Sequence, residues 1–199
     1  MNHKEITHLF LESRIKNTDT VVDMTAGNGH DTLFLAKIAK EVIAVDIQKQ
    51  AIESTKETCK EYTNIQYINK DHSQIDFMDS YQAYIYNLGY LPGSDKKIIT
   101  NVESTVSSLK KAIATNPRFI TIASYRGHDG GEQEYRAIKD LLESEKIEAI
   151  EVKYDSELSP VTFLIDFVKP SSSVILVDEL RRLPQKQAMT KLQSMLQLT

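Results

Sequence analysis

The chain has 199 residues, the length of one domain, with 41% hydrophobic and 26% charged residues and a formal net charge of −4. That is the composition of an ordinary globular protein, long enough to bury about 70% of its unfolded surface. It holds no apolar run near the roughly 20 residues that span a bilayer, and Cys59, its one cysteine, excludes an internal disulfide framework and a cysteine-based zinc cluster.

A leading helix is expected over residues 3–16, where Ile6, Leu9, Phe10 and Ile15 recur with helical period. Strands then alternate with helices: strands at 20–24, 42–46, 65–68, 83–88 and 119–124, helices at about 31–39, 48–62, 100–115 and 131–145. Such alternation argues for right-handed βαβ units and a parallel sheet covered on both faces. The segments 147–154 and 161–168 are both strand-like, and the short turn at 156–160 between them is too brief for a crossover, so they must pair antiparallel. The expected fold is therefore α/β, Rossmann-like and doubly wound. Its mostly parallel, seven-stranded sheet ends in an antiparallel hairpin, the layout of class I methyltransferases.

After Pro170 the character changes. Ser171, Ser172 and Ser173 read as a linker, and the rest as a helical segment interrupted at Pro184. Two parts are expected, a body over 1–169 and a peripheral tail over 170–199. The tail could dock on the body, mediate association such as a homodimer, or be an appended segment.

The segment from Val21 to Asp31 reads as strand, glycine loop, helix, with the turn built around Gly27 and Gly29. A dinucleotide fingerprint wants a third glycine where Thr32 stands. Asp23 and Asp31, flanking the loop, would also repel a pyrophosphate. They suit a ligand with a cationic amino acid end, and S-adenosylmethionine is one. Asp46 closes the second strand, 19 residues after Gly27, where a carboxylate can accept from both ribose hydroxyls. Alone it would read as a helix cap; the glycine loop at that spacing favours the ribose role. Asp71 and His72 follow the third strand, beside the expected place of an adenine ring, although Asp71 would also serve as a helix cap.

The fourth strand ends in Tyr86-Asn87-Leu88-Gly89-Tyr90-Leu91-Pro92-Gly93, at the carboxyl edge where open α/β sheets bind ligands. Asn87 offers a carbonyl acceptor for an amine and Tyr90 a flat wall for a base. The spacing is that of the Asn-Pro-Pro-Tyr of amino-group methyltransferases, with Leu88 and Gly89 in place of the prolines; an ordinary turn is the alternative. The fifth strand leads to Tyr125-Arg126-Gly127-His128-Asp129-Gly130-Gly131. Arg126 could hold a phosphate and His128 could relay a proton near neutral pH. His30 reads as a ligand-side or packing residue rather than a base. The histidines show no H-E-x-x-H or similar spacing, so no metal is expected. Lys96-Lys97, Lys110-Lys111, Arg118 and Arg136 read singly as solvated charges, and the net negative charge counts mildly against a nucleic-acid binder without excluding a local patch.

Together, the motif Asp-x-Thr-x-Gly-Asn-Gly-x-Asp at 23–31, Asp46-Ile47-Gln48, Asp71-His72, the Asn87–Gly93 loop with Asp95-Lys96, and Tyr125-x-Gly-His-x-Gly-Gly resemble the small bacterial rRNA-methylase family. The resemblance covers roughly residues 1–169, and the tail has no counterpart in it. Members of that family methylate the aminomethyl group of 5-aminomethyl-2-thiouridine at the tRNA wobble position. The resemblance implies S-adenosylmethionine as cofactor, held by Asp23, Thr25, Gly27, Asn28, Gly29, His30, Asp31, Asp46, Ile47, Gln48, Asp71 and His72. It implies Asn87, Tyr90 and His128 as catalytic residues. Leu91, Pro92, Gly93, Lys96, Tyr125, Arg126 and Gly127 would then face the anticodon arm of a tRNA. A cytoplasmic enzyme with no membrane partner is expected, since the N-terminus lacks a signal-peptide layout. The alternatives are a methyltransferase of rRNA or a small amine, and a non-catalytic nucleotide-binding protein.

Overall fold

The computed structural model describes residues 1–89, 101–127 and 129–198. The expectations for Tyr90, Leu91, Pro92, Gly93, Lys96 and His128 fall outside those residues. In chain order the elements are α1 (His3–Glu12), β1 (Thr20–Asp23), α2 (His30–Ala36), β2 (Glu41–Asp46), α3 (Lys49–Thr58) and β3 (Ile65–Asn69). A 3-10 turn (His72–Gln74), β4 (Tyr81–Leu88), α4 (Val102–Ala114), β5 (Phe119–Ser124) and α5 (Gly131–Ser144) follow. The chain ends with β6 (Ile150–Lys153), β7 (Val161–Asp166), β8 (Ser173–Leu176), α6 (Val177–Arg182) and α7 (Gln185–Met195). None of the helices among the described residues is long and apolar enough to cross a membrane.

The strands form one sheet in the order β3-β2-β1-β4-β5-β7-β6-β8. Strands β1 to β5 pair in parallel, and β7 runs antiparallel to both neighbours. The hairpin expected from the short 156–160 turn is thus the β6–β7 pair. The strand order reverses between β1 and β4, and a crevice opens at such a switch point beyond the carboxyl ends of the strands. Every candidate loop lies on that edge.

Alternation along the strands decides which face each side chain covers. Val21 and Val42 pack with Ile6, Phe10 and Leu35 beneath α1 and α2. Their neighbours Val22 and Ile43 point to the other face and pack with Tyr84, Tyr86, Leu109 and Ile138 beneath α4 and α5. The leading helix is shorter than the periodicity suggests. It starts from a capping box, in which Asn2 accepts from the Glu5 amide and the Glu5 carboxylate accepts from the Asn2 amide.

The sheet has eight strands where seven are expected, and the extra one starts at the last serine read as linker and runs into the segment read as helical. Ser173–Leu176 forms β8, parallel to β6. Ile175, Val177, Leu180, Ala188, Leu192 and Leu196 are buried in the same cluster as Ile6 and Phe10. Arg14 also donates to the Leu196 carbonyl at 2.9 Å. The serines hide a short strand of alternating character, and the apolar stripe of the helices after it needs this face of the body for burial.

Candidate active site

The glycine loop is fixed from below. Asp23, at the end of β1, is fully buried, accepting from the Thr32 hydroxyl at 2.6 Å and the Thr25 amide at 3.2 Å. Burial, reinforced by the charge of Asp31, pushes its carboxyl up to about 7 against the pull of those two bonds. Asp23 therefore sits under the loop, while Asp31 lies at its rim.

Helix α3 grips the loop from the side. Thr55 Oγ1 donates to the Gly27 carbonyl at 3.1 Å, Thr58 Oγ1 to the Asn28 carbonyl at 2.8 Å, and Ser54 Oγ to Asn28 Oδ1 at 3.3 Å. Cys59 Sγ donates weakly to the Gly29 carbonyl at 3.6 Å. Gly29 has φ +81°, and a Cβ there would stand 2.8 Å from Thr55 Cα, so loop and helix approach as closely as they do only because this residue is glycine. The gripping residues were missed in the sequence, although small donors at 54, 55, 58 and 59 share one helical face. His30, the first residue of α2, is exposed.

Asp46 ends β2 with both oxygens engaged by main chain: Oδ2 accepts from Gly27 N–H at 3.0 Å and Oδ1 from Gln48 N–H at 2.8 Å. Burial raises its carboxyl above the ordinary value, against the pull of both bonds. A carboxylate has about four acceptor sites, so two amide bonds leave room for a diol. Asn69, another residue missed, donates to the Asp46 and Ile47 carbonyls, each at 2.9 Å, and holds this turn. Ile47 beside it is 58% exposed, an apolar side chain open at the crevice.

Asp71 acts as the cap that its sequence position also allowed. Its Oδ1 accepts from Ser73 N–H at 2.7 Å and Ser104 Oγ at 2.6 Å. Burial raises this carboxyl, but those bonds outweigh it and hold it below the ordinary value. His72 is buried edge-on to Tyr86, and burial lowers its basicity.

The β1 and β4 loops meet at Asn87. Its backbone N–H donates to Thr25 Oγ1 at 2.7 Å, and its Nδ2 donates to Asp31 Oδ2 at 2.8 Å. The other oxygen of Asp31 takes Nε2 of His8, on α1, at 2.7 Å. Burial pushes the Asp31 carboxyl up, but the His8 bond and charge, the Lys4 charge and the Asn87 amide outweigh it and hold it below the ordinary value. With one Nδ2 hydrogen donated to Asp31, the orientation of the Asn87 amide is set and its Oδ1 remains as an acceptor.

Asn87, Leu88, Gly89 and Tyr125 line a small cavity of about 120 Å³. Tyr125 is tied to α1 through His3, whose Nε2 lies 3.3 Å from the phenol oxygen and whose Nδ1 lies 3.1 Å from the Tyr154 phenol. Burial brings His3 down to about 4, so it is neutral at physiological pH. Arg126 turns away toward α5, donating to Glu132 at 2.6 Å and lying 4.6 Å over the Tyr135 ring. Gly127 is exposed, and its added Cβ would approach the Leu158 carbonyl. Among the described residues, no three His, Cys, Asp or Glu side chains are grouped to hold a metal.

The structure thus brings together Asp23, Thr25, Gly27, Asn28, Asp31, Asp46 and Asn87, with Tyr125 across a small cavity. The two histidines of α1 were absent from the expected site.

A family model described as "Putative rRNA methylase" matches residues 42–164. The chain is 37% identical over 155 residues to a chloroplastic protein of Arabidopsis thaliana named tRNA (mnm(5)s(2)U34)-methyltransferase. That match covers 68% of this chain and 57% of the relative, so the chain spans little more than half of the plant protein's length. A crystal structure of a protein from Clostridium thermocellum, described as a "putative rRNA-methylase", superposes with a TM-score of 0.75 at 29% identity, over 83% of this chain and 97% of that one. A structure from Streptococcus mutans, described as a "putative methyltransferase" and in complex with S-adenosylhomocysteine, gives a TM-score of 0.74 at 27% identity, over 83% and 98%. The switch-point crevice, the sheet with its antiparallel β7 and the match over more than half of the chain lead to one conclusion: the chain belongs to the rRNA methylase family of class I methyltransferase fold.

Proposed function

We propose that this protein is an S-adenosylmethionine-dependent N-methyltransferase that converts the aminomethyl group of 5-aminomethyl-2-thiouridine, at the wobble position of tRNA, to methylaminomethyl. The observation that carries the reading is Asn87, with its amide anchored on Asp31 beside the glycine loop and its Oδ1 left as an acceptor. The activity named for the plant relative and the S-adenosylhomocysteine bound in the S. mutans structure support it.

The crevice fits the cofactor by its donor and acceptor set. Asp46 can accept from ribose hydroxyls, exposed Ile47 offers an apolar face to a base, and Asp31 supplies negative charge for an amino acid ammonium. When bound, S-adenosylmethionine supplies an electrophilic methyl group on its sulfonium. The residues of this chain have the task of placing the acceptor nitrogen. Much of the rate would come from that placement.

A free alkylamine is protonated at neutral pH, so the site must favour the neutral nucleophile. Desolvation in the crevice disfavours the ammonium. Asn87 Oδ1 can accept one remaining N–H and so fix the direction of the lone pair. The anticodon arm is the proposed partner. Tyr90 and His128 are proposed to contribute a stacking face and a proton acceptor, and the Leu91–Gly93 loop, Lys96 and Tyr125 to contact RNA. Arg126, engaged by Glu132, would have to exchange that partner to reach a phosphate.

A second reading, methylation of an rRNA base amine, is favoured by the family's description. Nucleoside analysis separates the two. Cells lacking the gene should accumulate 5-aminomethyl-2-thiouridine in tRNA, and restoring the gene should clear it. Unchanged tRNA with a newly unmethylated rRNA base would replace the first reading by the second.

A further inference from the structure

We propose that His8, on α1, is a positioning residue for methyl transfer, holding Asp31 so that Asn87 presents Oδ1 to the acceptor amine. The inference rests on the functional reading above and concerns a residue from a separate part of the chain, 23 positions before Asp31 and 79 before Asn87. Three observations carry it. His8 Nε2 lies 2.7 Å from Asp31 Oδ1, while Asn87 Nδ2 lies 2.8 Å from Asp31 Oδ2, so one carboxylate is shared between imidazole and amide. The His8 ring lies flat on Phe34, with centroids 3.9 Å apart and planes 3° apart, which fixes the direction of its N–H. His8, Asp31 and Asn87 also line the same narrow recess under α1, together with Lys4 and Thr7.

The arrangement has a chemical consequence. An amide held at one end by a rigid carboxylate keeps a single orientation; without the clamp Asn87 can flip and present its NH₂ to the amine, a donor facing a donor. The carboxylate in turn needs two donors to stay in place, and α1 supplies the second. A single partly exposed hydrogen bond adds little to stability, so the main loss from breaking this one should fall on turnover.

Two variants separate the hydrogen bond from the packing. His8→Phe keeps a flat ring over Phe34 and removes the donor; His8→Gln returns a donor to the same region. The substrate is tRNA from cells lacking this gene, and the readouts are kcat, KM, S-adenosylhomocysteine affinity by calorimetry, and the ¹⁵N resonance of the Asn87 side-chain amide. His8→Phe should lower kcat on the order of 10²-fold, leave KM for the tRNA within about twofold, lower cofactor affinity through Asp31 by much less than kcat, and shift the Asn87 amide resonance; His8→Gln should recover kcat and the resonance. Should His8→Phe not fold, His8→Asn, too short to reach Asp31, takes its place with the same expectations. Unchanged kcat, an unmoved Asn87 resonance, or equal losses in the Phe and Gln variants would overturn the proposal. Failure of the unsubstituted protein to methylate this tRNA would instead overturn the functional reading, and the Asn87 resonance would still decide whether His8 holds that amide.

Discussion

Gly29→Ala perturbs the close approach of the glycine loop to α3. The added methyl would stand 2.8 Å from Thr55 Cα and 3.1 Å from Thr55 Cγ2, at a residue with φ +81°. A left-handed conformation costs a residue with a Cβ ~1–2 kcal/mol, and overpacking against an immovable backbone costs ~1–3 kcal/mol more. The sum, about 2–5 kcal/mol, is a large share of a typical stability of about 5–15 kcal/mol. With a urea slope of ~2 kcal/mol per molar, the unfolding midpoint should fall by about 1–2.5 M. If the protein relieves the clash by moving the loop, the bonds from Ser54, Thr55 and Thr58 break. S-adenosylhomocysteine affinity should then drop as well, measured by calorimetry at a temperature where the variant is folded. Gly127→Ala is the control: its φ is ordinary and its nearest contact is the Leu158 carbonyl at 3.2 Å, so its loss should be clearly smaller. A Gly29→Ala midpoint within 0.2 M of the parent (a change of roughly 0.4 kcal/mol), with cofactor affinity unchanged, would refute this account of the loop.

Asp46→Ala removes the acceptor proposed for the ribose and unties Gly27 from Gln48; calorimetry should show S-adenosylhomocysteine affinity lowered on the order of 10–10²-fold. Asn87→Ala should leave that affinity within about twofold and reduce kcat, the pattern of a group acting on the acceptor; the opposite pattern would mean that the crevice is divided differently. Asp23 makes stability depend on pH. Its folded value of about 7 stands above the ordinary 3.8, so the native state holds the proton more tightly. The stabilisation is full below about pH 4 and is lost as pH rises toward 7, amounting to roughly 2–3 kcal/mol between pH 5 and 8. Urea titrations at both pH values should show this fall in the parent and a flatter dependence in Asp23→Asn; parallel dependences would refute it.

The architecture was legible where local pattern and connection length suffice. Five strands interleaved with four helices, and one turn too short for a crossover, specify a parallel sheet ending in an antiparallel pair, and the glycine loop and Asp46 follow from position along it. What stayed hidden depends on side chains meeting across the fold. β8 is four residues long, starting at the last serine of the linker and continuing into a stretch that reads as helical, so it is hidden until β6 offers it an edge. His3 and His8 look like ordinary residues of an amphipathic helix. Their roles appear only when α1 packs across the crevice and brings them to Tyr125 and Asp31. Asp71 shows the converse: its sequence position suits an adenine acceptor and also a cap, and its carboxylate caps the 3-10 turn through Ser73 and is held by Ser104.

The central claim is tested most directly by transfer of labelled methyl from S-adenosylmethionine to purified RNA, followed by nucleoside digestion. With tRNA from cells lacking the gene, the account predicts label in the wobble nucleoside, co-eluting with 5-methylaminomethyl-2-thiouridine, and none in deproteinised rRNA. Label in an rRNA base, or none in tRNA that carries the aminomethyl group, would contradict it.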